Sequence, residues 1–124
     1  MPVIRATDTV VHELHGVSFT SYAAPARGSR ELCAWRLDIP AGNEGVAHRI
    51  SREEVFYVLS GALDAVIDGQ PCHAAAGDVL LVPAGSVLSV STPASAPVTA
   101  WVTTSAGLGA VLPDGSWLTP PWAR

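Results

Sequence analysis

An imidazole and a carboxylate stand six positions apart near the middle of this 124-residue chain, at His48 and Glu54. If the fold brings both side chains into one apolar cavity, they can share a charge-assisted hydrogen bond or serve as general acid and base on a bound molecule. Nucleophilic catalysis has little support, because the chain contains no Gly-x-Ser-x-Gly segment. Schiff-base chemistry is excluded because all seven basic residues are arginines. The residue types therefore favour acid–base chemistry or polar recognition.

Two segments around these residues have the spacing of a known pair of motifs. Gly42 to Gly61 reads GNEGVAHRISREEVFYVLSG, and the segment that begins at Gly77 reads GDVLLVPAGSVL. Together they resemble the two signature motifs of the cupin superfamily. In that superfamily, the first motif presents His-x-His followed by Glu, and the second motif ends on His. The turn residues Pro83 and Gly85 of the second motif are in place.

The resemblance implies a metal site, but the site is incomplete in this chain. Its four ligand positions are occupied by His48, Ile50, Glu54 and Leu88. Isoleucine and leucine cannot coordinate a metal, and two ligands are too few for the transition metals that imidazole normally binds. We therefore expect no metal cofactor. One alternative stays open, in which a site is completed by residues outside the motifs: His12, His15, His73, Cys33 and Cys72.

Composition narrows the classes of partner. Hydrophobic residues make up 48% of the chain and charged residues 15%, with a net charge of −4. Without a basic cluster, the chain lacks the electrostatic footprint of a nucleic-acid binder or of a protein recruited to anionic membranes. The start MPVIRATDTV has no apolar core of a secretory signal, so we expect a cytoplasmic protein with free cysteines.

The pattern along the chain is that of strands separated by glycine and proline turns. Glu31 to Ile39 alternates, with Cys33, Trp35, Leu37 and Ile39 on the face expected to point inward. Val55 to Leu59 is continuously apolar, which predicts a strand buried on both faces. Other strands are expected at 18–23, 62–67, 72–75, 79–82, 87–91 and 98–104, with a tight hairpin turn at Asp68-Gly69.

We therefore predict an all-β fold, a single-domain jelly-roll barrel of about eight to ten antiparallel strands. The resemblance implies that residues 1–124 form one cupin domain, with the barrel at about 31–104, an N-terminal arm at 1–30 and a C-terminal tail at 105–124. The tail is too apolar and aromatic to be disordered, so we expect it to pack on the barrel or on a partner subunit. A lid over the cavity is the alternative. A homodimer is expected to cover the second apolar face of the strand that contains Tyr57.

The function that these expectations favour is binding of an unidentified small molecule in an apolar barrel cavity. Its polar groups would be His48 and Glu54, which are also the candidate catalytic residues. One alternative is a metal-independent isomerase, epimerase or lyase that uses the same pair. A metal-dependent dioxygenase with unrecognised ligands and a purely structural role are two others. The residues expected to line the cavity are Cys33, Trp35, Ile50, Phe56, Val58 and Leu88.

Overall fold

The computed structural model describes residues 3–124, which form two six-stranded antiparallel sheets packed face to face. The first two residues of the predicted N-terminal arm lie outside the described residues. No helix in the described chain is long and apolar enough to cross a membrane. The strands are β1 Val10–Leu14, β2 Val17–Ala23, β3 Leu32–Ile39, β4 His48–Ile50, β5 Glu54–Ser60, β6 Ala62–Ile67, β7 Gln70–Ala75, β8 Val79–Val82, β9 Val87–Ser91, β10 Val98–Ser105, β11 Ala110–Val111 and β12 Trp117–Leu118. Single 3₁₀ turns lie at Ala6–Asp8, Pro25–Arg27 and Pro121–Ala123.

The first sheet has the strand order β1-β2-β3-β10-β5-β8. In β3, the residues predicted to face inward, Cys33, Trp35, Leu37 and Ile39, are all buried, as the alternating pattern requires. The next strand in the sheet, β10, continues the same alternation and lies antiparallel to both β3 and β5. This alternation fixes which side chains of the sheet reach the core.

The second sheet has the order β12-β11-β4-β9-β6-β7. Strands β6 and β7 form the predicted hairpin, whose turn residues Asp68 and Gly69 have φ angles of 50° and 80°. Positive φ at both turn residues matches the right-handed twist of the paired strands. The core between the sheets joins residues of both, among them Trp35, Leu63 and Leu88. The predicted all-β jelly-roll plan is confirmed.

The prediction that the strand at residues 55–59 is buried on both faces is wrong for the single chain. Strand β5 buries only one face, that of Glu54, Phe56 and Val58. On the other face, Tyr57 is 44% exposed and Leu59 is 47% exposed. The continuous apolar run does not report burial on both faces here, because nothing in the described chain packs on the outer side of this sheet at β5.

The two terminal segments belong to the sheets. The predicted arm contains β1 and β2, a hairpin whose turn is His15-Gly16, and it extends the first sheet. The predicted tail contributes β11 and β12 to the second sheet and then packs Trp122 and Ala123 into the core. Both segments therefore help to shape the barrel interior.

Candidate functional site

A cavity of about 160 Å³ lies between the two sheets and opens at one end of the barrel. Strands β2, β3 and β5 of the first sheet form one side, and β4, β9, β11 and β12 of the second sheet form the other. Most of its wall is hydrocarbon. The large apolar side chains on the wall include Leu14, Phe19, Trp35, Leu37, Ile39, Ile50, Phe56, Leu88, Val90, Leu108, Leu112, Leu118 and Trp122.

The four motif positions meet at this cavity. His48 and Ile50 come from β4, Leu88 from β9 and Glu54 from the start of β5, and all four line the wall. His48 is the cross-strand partner of Leu88, whereas Glu54 belongs to the opposite sheet. The fold thus directs the side chains of all four motif positions into the cavity.

The imidazole of His48 is held by the backbone next to it. Its Nδ1 lies 3.0 Å from the carbonyl oxygen of Val46. A carbonyl oxygen can only accept, so Nδ1 carries the proton in this contact. The neutral ring then has its lone pair on Nε2. This geometry leaves Nε2 free to accept a proton or a hydrogen bond from a bound molecule.

The carboxyl group of Glu54 is almost completely buried, with 5% of the residue exposed. No group among residues 3–124 donates a hydrogen bond to its carboxyl oxygens, which are not fully closed off from the cavity that Glu54 lines. Burial away from water raises the pKa of Glu54 from its ordinary value near 4.5 to about 7. No hydrogen bond joins this carboxyl to His48 in the described chain, so the direct pairing that the sequence allowed is not formed.

The donor set does not fit a metal ion. No group of three or more His, Cys, Asp or Glu side chains within residues 3–124 is placed to hold one. Ile50 and Leu88 are each 1% exposed and belong to the hydrophobic core, so they also exclude the water that normally completes a metal site. The expectation that the protein has no metal cofactor stays a prediction.

The remaining histidines and cysteines are scattered over the fold. His12 lies half-buried in β1, and His73 lies on the exposed face of β7, where its Nδ1 is 2.7 Å from a carboxylate oxygen of Asp64. Cys33 and Cys72 are both free thiols. Only His15, in the turn between β1 and β2, reaches the cavity, at its mouth.

Four of the six residues predicted to line the cavity do so: Trp35, Ile50, Phe56 and Leu88. Cys33 and Val58 do not. Both point inward but are fully buried in the core beyond the cavity wall, and the thiol of Cys33 lies 3.4 Å from the carbonyl oxygen of Ala123. Alternation identifies the inward face correctly, but it cannot locate the cavity along that face.

The mouth of the cavity was not predicted. It is built from the β1–β2 turn and the loop before β4, which include His15, Asn43 and Glu44. The side-chain amide of Asn43 donates to the carbonyl oxygen of His15 over 3.1 Å and so joins the two loops. These residues carry no shared local pattern that sequence alone would reveal.

The C-terminal tail forms a large part of the wall. The ring of Trp122 stacks on Phe19 with centroids 3.6 Å apart and meets the edge of Trp35 at 6.5 Å. The hydroxyl of Ser21 donates to the carbonyl oxygen of Trp122 over 2.8 Å, which fixes the tail on the barrel. The tail packs on the barrel as its composition predicts, and it encloses the cavity as well.

Comparison with known proteins agrees with this geometry. The chain is 36% identical over 44 residues to the acetate kinase EutQ of Clostridioides difficile (strain 630), a match that covers 36% of this chain and 28% of that protein. The polyketide cyclase RemF of Streptomyces resistomycificus superposes with a TM-score of 0.74 at 15% identity, covering 85% of this chain and 79% of that one. An RmlC-like cupin from Shewanella frigidimarina NCIMB 400 superposes with a TM-score of 0.72 at 22% identity, covering 85% and 90%.

At these identities, the superpositions show a shared fold. The family is shown by the sequence itself, because the cupin domain family matches residues 35–104, a stretch that contains both motifs and most of the barrel strands. The chain belongs to the cupin family.

Proposed function

We propose that this protein binds a small molecule in the barrel cavity, with His48 and Glu54 as its polar contacts. The observation that carries the proposal is the carboxyl of Glu54, which lines a largely apolar cavity and receives no hydrogen bond from the described chain. A buried polar group without a partner costs about 1–3 kcal/mol. A ligand that hydrogen-bonds to this carboxyl offsets that cost, whereas a filled structural core would have no use for it.

The test is a titration of ¹⁵N-labelled protein with a small apolar probe such as toluene, followed by amide chemical shifts. We expect saturable shifts at residues around the cavity. The variant Val90→Phe places extra volume on the cavity wall and should abolish the shifts. Val66→Phe is the matched control, because Val66 lies on the outer face of the neighbouring strand and is 43% exposed. If Val90→Phe binds the probe as well as the natural protein does, the cavity is not the binding site.

The variant His48→Ala separates a functional role from a structural one. His48 is half-buried, and its side chain makes one hydrogen bond in the described chain, to the carbonyl of Val46 in the loop before β4, so loss of the imidazole should change stability by about 1 kcal/mol or less. We expect a larger effect on the affinity for a hydrogen-bonding ligand. Equal affinity, or a variant that gains stability without losing binding, would show that the imidazole is not needed at this site.

A second candidate function is metal-independent proton transfer, as in an isomerase, epimerase or lyase. It is favoured by one further observation: the pKa of Glu54 lies near 7, where a group acts well as both acid and base, while Nε2 of His48 holds a free lone pair. The test is incubation of a bound ligand in D₂O. Deuterium entering a carbon position in the natural protein, and not in Glu54→Gln or His48→Gln, would establish this activity. No exchange would leave binding as the function.

A further inference from the structure

The charge on the cavity wall is unbalanced. The wall carries two carboxyl groups, Glu44 at the mouth and Glu54 inside. None of the lining residues in the described chain is an arginine. The nearest arginines in sequence are used elsewhere: Arg49 donates to the carbonyl oxygen of Gly85, and Arg52 lies against Gly107. An anionic ligand would thus lose its water and meet a carboxyl group without a fixed counter-charge, which is costly.

The hydrogen-bonding capacity of the two polar side chains inside the cavity, His48 and Glu54, is also one-sided, and the unpaired donor on the wall is the indole Nε1 of Trp35, which has no partner in the described chain. An ionised Glu54 can only accept hydrogen bonds, and a neutral His48 whose Nδ1 donates to Val46 can only accept at Nε2. When Glu54 is protonated it can donate as well. A hydroxyl group both donates and accepts, so it satisfies Glu54 in either protonation state and also satisfies Nε2.

The enclosed part of the cavity holds about one ring. An apolar cavity of about 150 Å³ is known to hold one benzene molecule. The present cavity, at about 160 Å³, is similar, and its wall carries four aromatic side chains, at Phe19, Trp35, Phe56 and Trp122. Flat aromatic surfaces favour a flat apolar partner.

From these three observations we infer that the ligand is a ring-sized molecule that carries a hydroxyl group and no negative charge. The inference rests on the proposed binding function and specifies its ligand class. Glu54 is the residue that selects the hydroxyl, and the absence of an arginine side chain on the wall in the described chain is what disfavours acids.

The experiment compares two pairs of probes of matched shape. Phenol and toluene differ by a hydroxyl in place of a methyl, and benzamide and benzoate differ by an amide in place of a carboxylate. Dissociation constants are measured by amide shift titration at pH 7. We expect phenol to bind at least about tenfold more tightly than toluene, and benzamide at least about tenfold more tightly than benzoate.

Three variants test whether the preference for phenol over toluene depends on the carboxyl of Glu54. Glu54→Met keeps the length of the side chain but cannot accept a strong hydrogen bond, so it should bind phenol and toluene within about threefold of each other. Glu54→Gln can donate and accept, so it should keep most of the preference for phenol. Glu53→Gln is the neighbouring control, because Glu53 is exposed and is not on the wall, and the preference should not change.

The outcomes separate the inference from the proposed function. If toluene binds as tightly as phenol, or benzoate as tightly as benzamide, the inference is wrong while the binding function stands. A preference for phenol that persists unchanged in folded Glu54→Met also overturns it. If none of the four probes binds, the binding function itself fails.

Discussion

At the scale of single residues, the burial of Glu54 has a thermodynamic cost that depends on pH. Its pKa is near 7 in the folded protein and near 4.5 when solvated, so the folded state holds the proton over a range where the unfolded state has released it. A carboxyl with a raised folded pKa destabilises the fold as pH rises from 4.5 to 7, and the loss is complete above 7.

We therefore expect the free energy of unfolding to fall by about 2–3 kcal/mol between pH 5 and pH 8 because of this one group. Asp38, Asp68 and Asp114 have lowered pKa values, so their stabilising effect is already complete above about pH 5 and does not oppose the fall. Urea denaturation across this range measures it. Glu54→Gln should flatten the profile and Glu53→Gln should not. A natural protein more stable at pH 8 than at pH 5, with the same slope in Glu54→Gln, would contradict the assignment.

The two hydrocarbons at ligand positions give a second prediction at this scale. Ile50 and Leu88 line the same cavity as His48 and Glu54. The double change Ile50→His with Leu88→His should therefore present three imidazoles and a carboxylate to one point, a set suited to divalent Ni or Zn. We expect the variant to bind these metals at least about tenfold more tightly than the natural protein. Its affinity should stay limited, because the new histidines have no hydrogen-bond partners to orient their rings.

Calorimetry on metal-free protein measures this difference. Each single substitution serves as a control, since three ligands should hold the metal less well than four. A folded double variant that takes up no more metal than the natural protein would mean that the four side chains do not converge.

At the scale of elements, the tail is held by one buried aromatic residue. Trp122 is 7% exposed and contacts Phe19 and Trp35, so Trp122→Ala should destabilise the fold by about 3 kcal/mol. Trp117, in the same tail, is 59% exposed, and Trp117→Ala should cost less than half as much. Urea denaturation of both variants tests the difference. Equal losses would mean that the tail contributes little through its core contact.

The sequence predicts most elements because their signals are local. Strands β2, β3, β5, β6, β8, β9 and β10 were predicted to within one residue at each end, from alternation and from turn residues. Strand β1 was missed because its turn, His15-Gly16, is not among the common hairpin pairs, although both residues have positive φ. Strands β4, β11 and β12 have two or three residues each, too few for a period to show.

The residues of the site also fall into those that a local sequence signal locates and those that it does not. His48, Ile50, Glu54 and Leu88 were located because motif spacing fixes their place in a barrel. The mouth at His15 and Asn43 and the wall at Trp122 were not located, because they come from segments far apart in sequence that meet only in the folded chain. The missing hydrogen bond between His48 and Glu54 was also beyond prediction, since motif spacing does not set the distance between two side chains that lie on opposite sheets.

At the scale of the whole molecule, the outer face of the first sheet carries an unsatisfied apolar surface. Tyr57 and Leu59 of β5 lie beside Val79 and Leu81 of β8, and each is between 44% and 56% exposed. We predict a homodimer that buries this surface, since a two-fold contact is the commonest way to cover one. Sedimentation velocity at micromolar concentration measures the state of assembly.

Substitutions distinguish this face from the rest of the surface. Leu81→Arg should shift the protein towards the monomer, because it places a charge in the contact. Val66→Arg, on the outer face of the other sheet, should leave the assembly unchanged. A natural protein that sediments as a monomer would refute the dimer. If Val66→Arg dissociates the dimer and Leu81→Arg does not, the contact lies on the second sheet and not on the first.

The tail supplies seven of the residues that line the cavity, from Leu108 to Trp122, so a ligand in the cavity touches the barrel and the tail together. Local opening of the tail must then release the ligand, and a bound ligand must oppose that opening. At a ligand concentration of about 100 times the dissociation constant, the opened population falls about a hundredfold. The backbone amides of the tail should then exchange more slowly with solvent when the cavity is full. Protection of the tail thus reports occupancy of the cavity before the ligand's own chemistry is known.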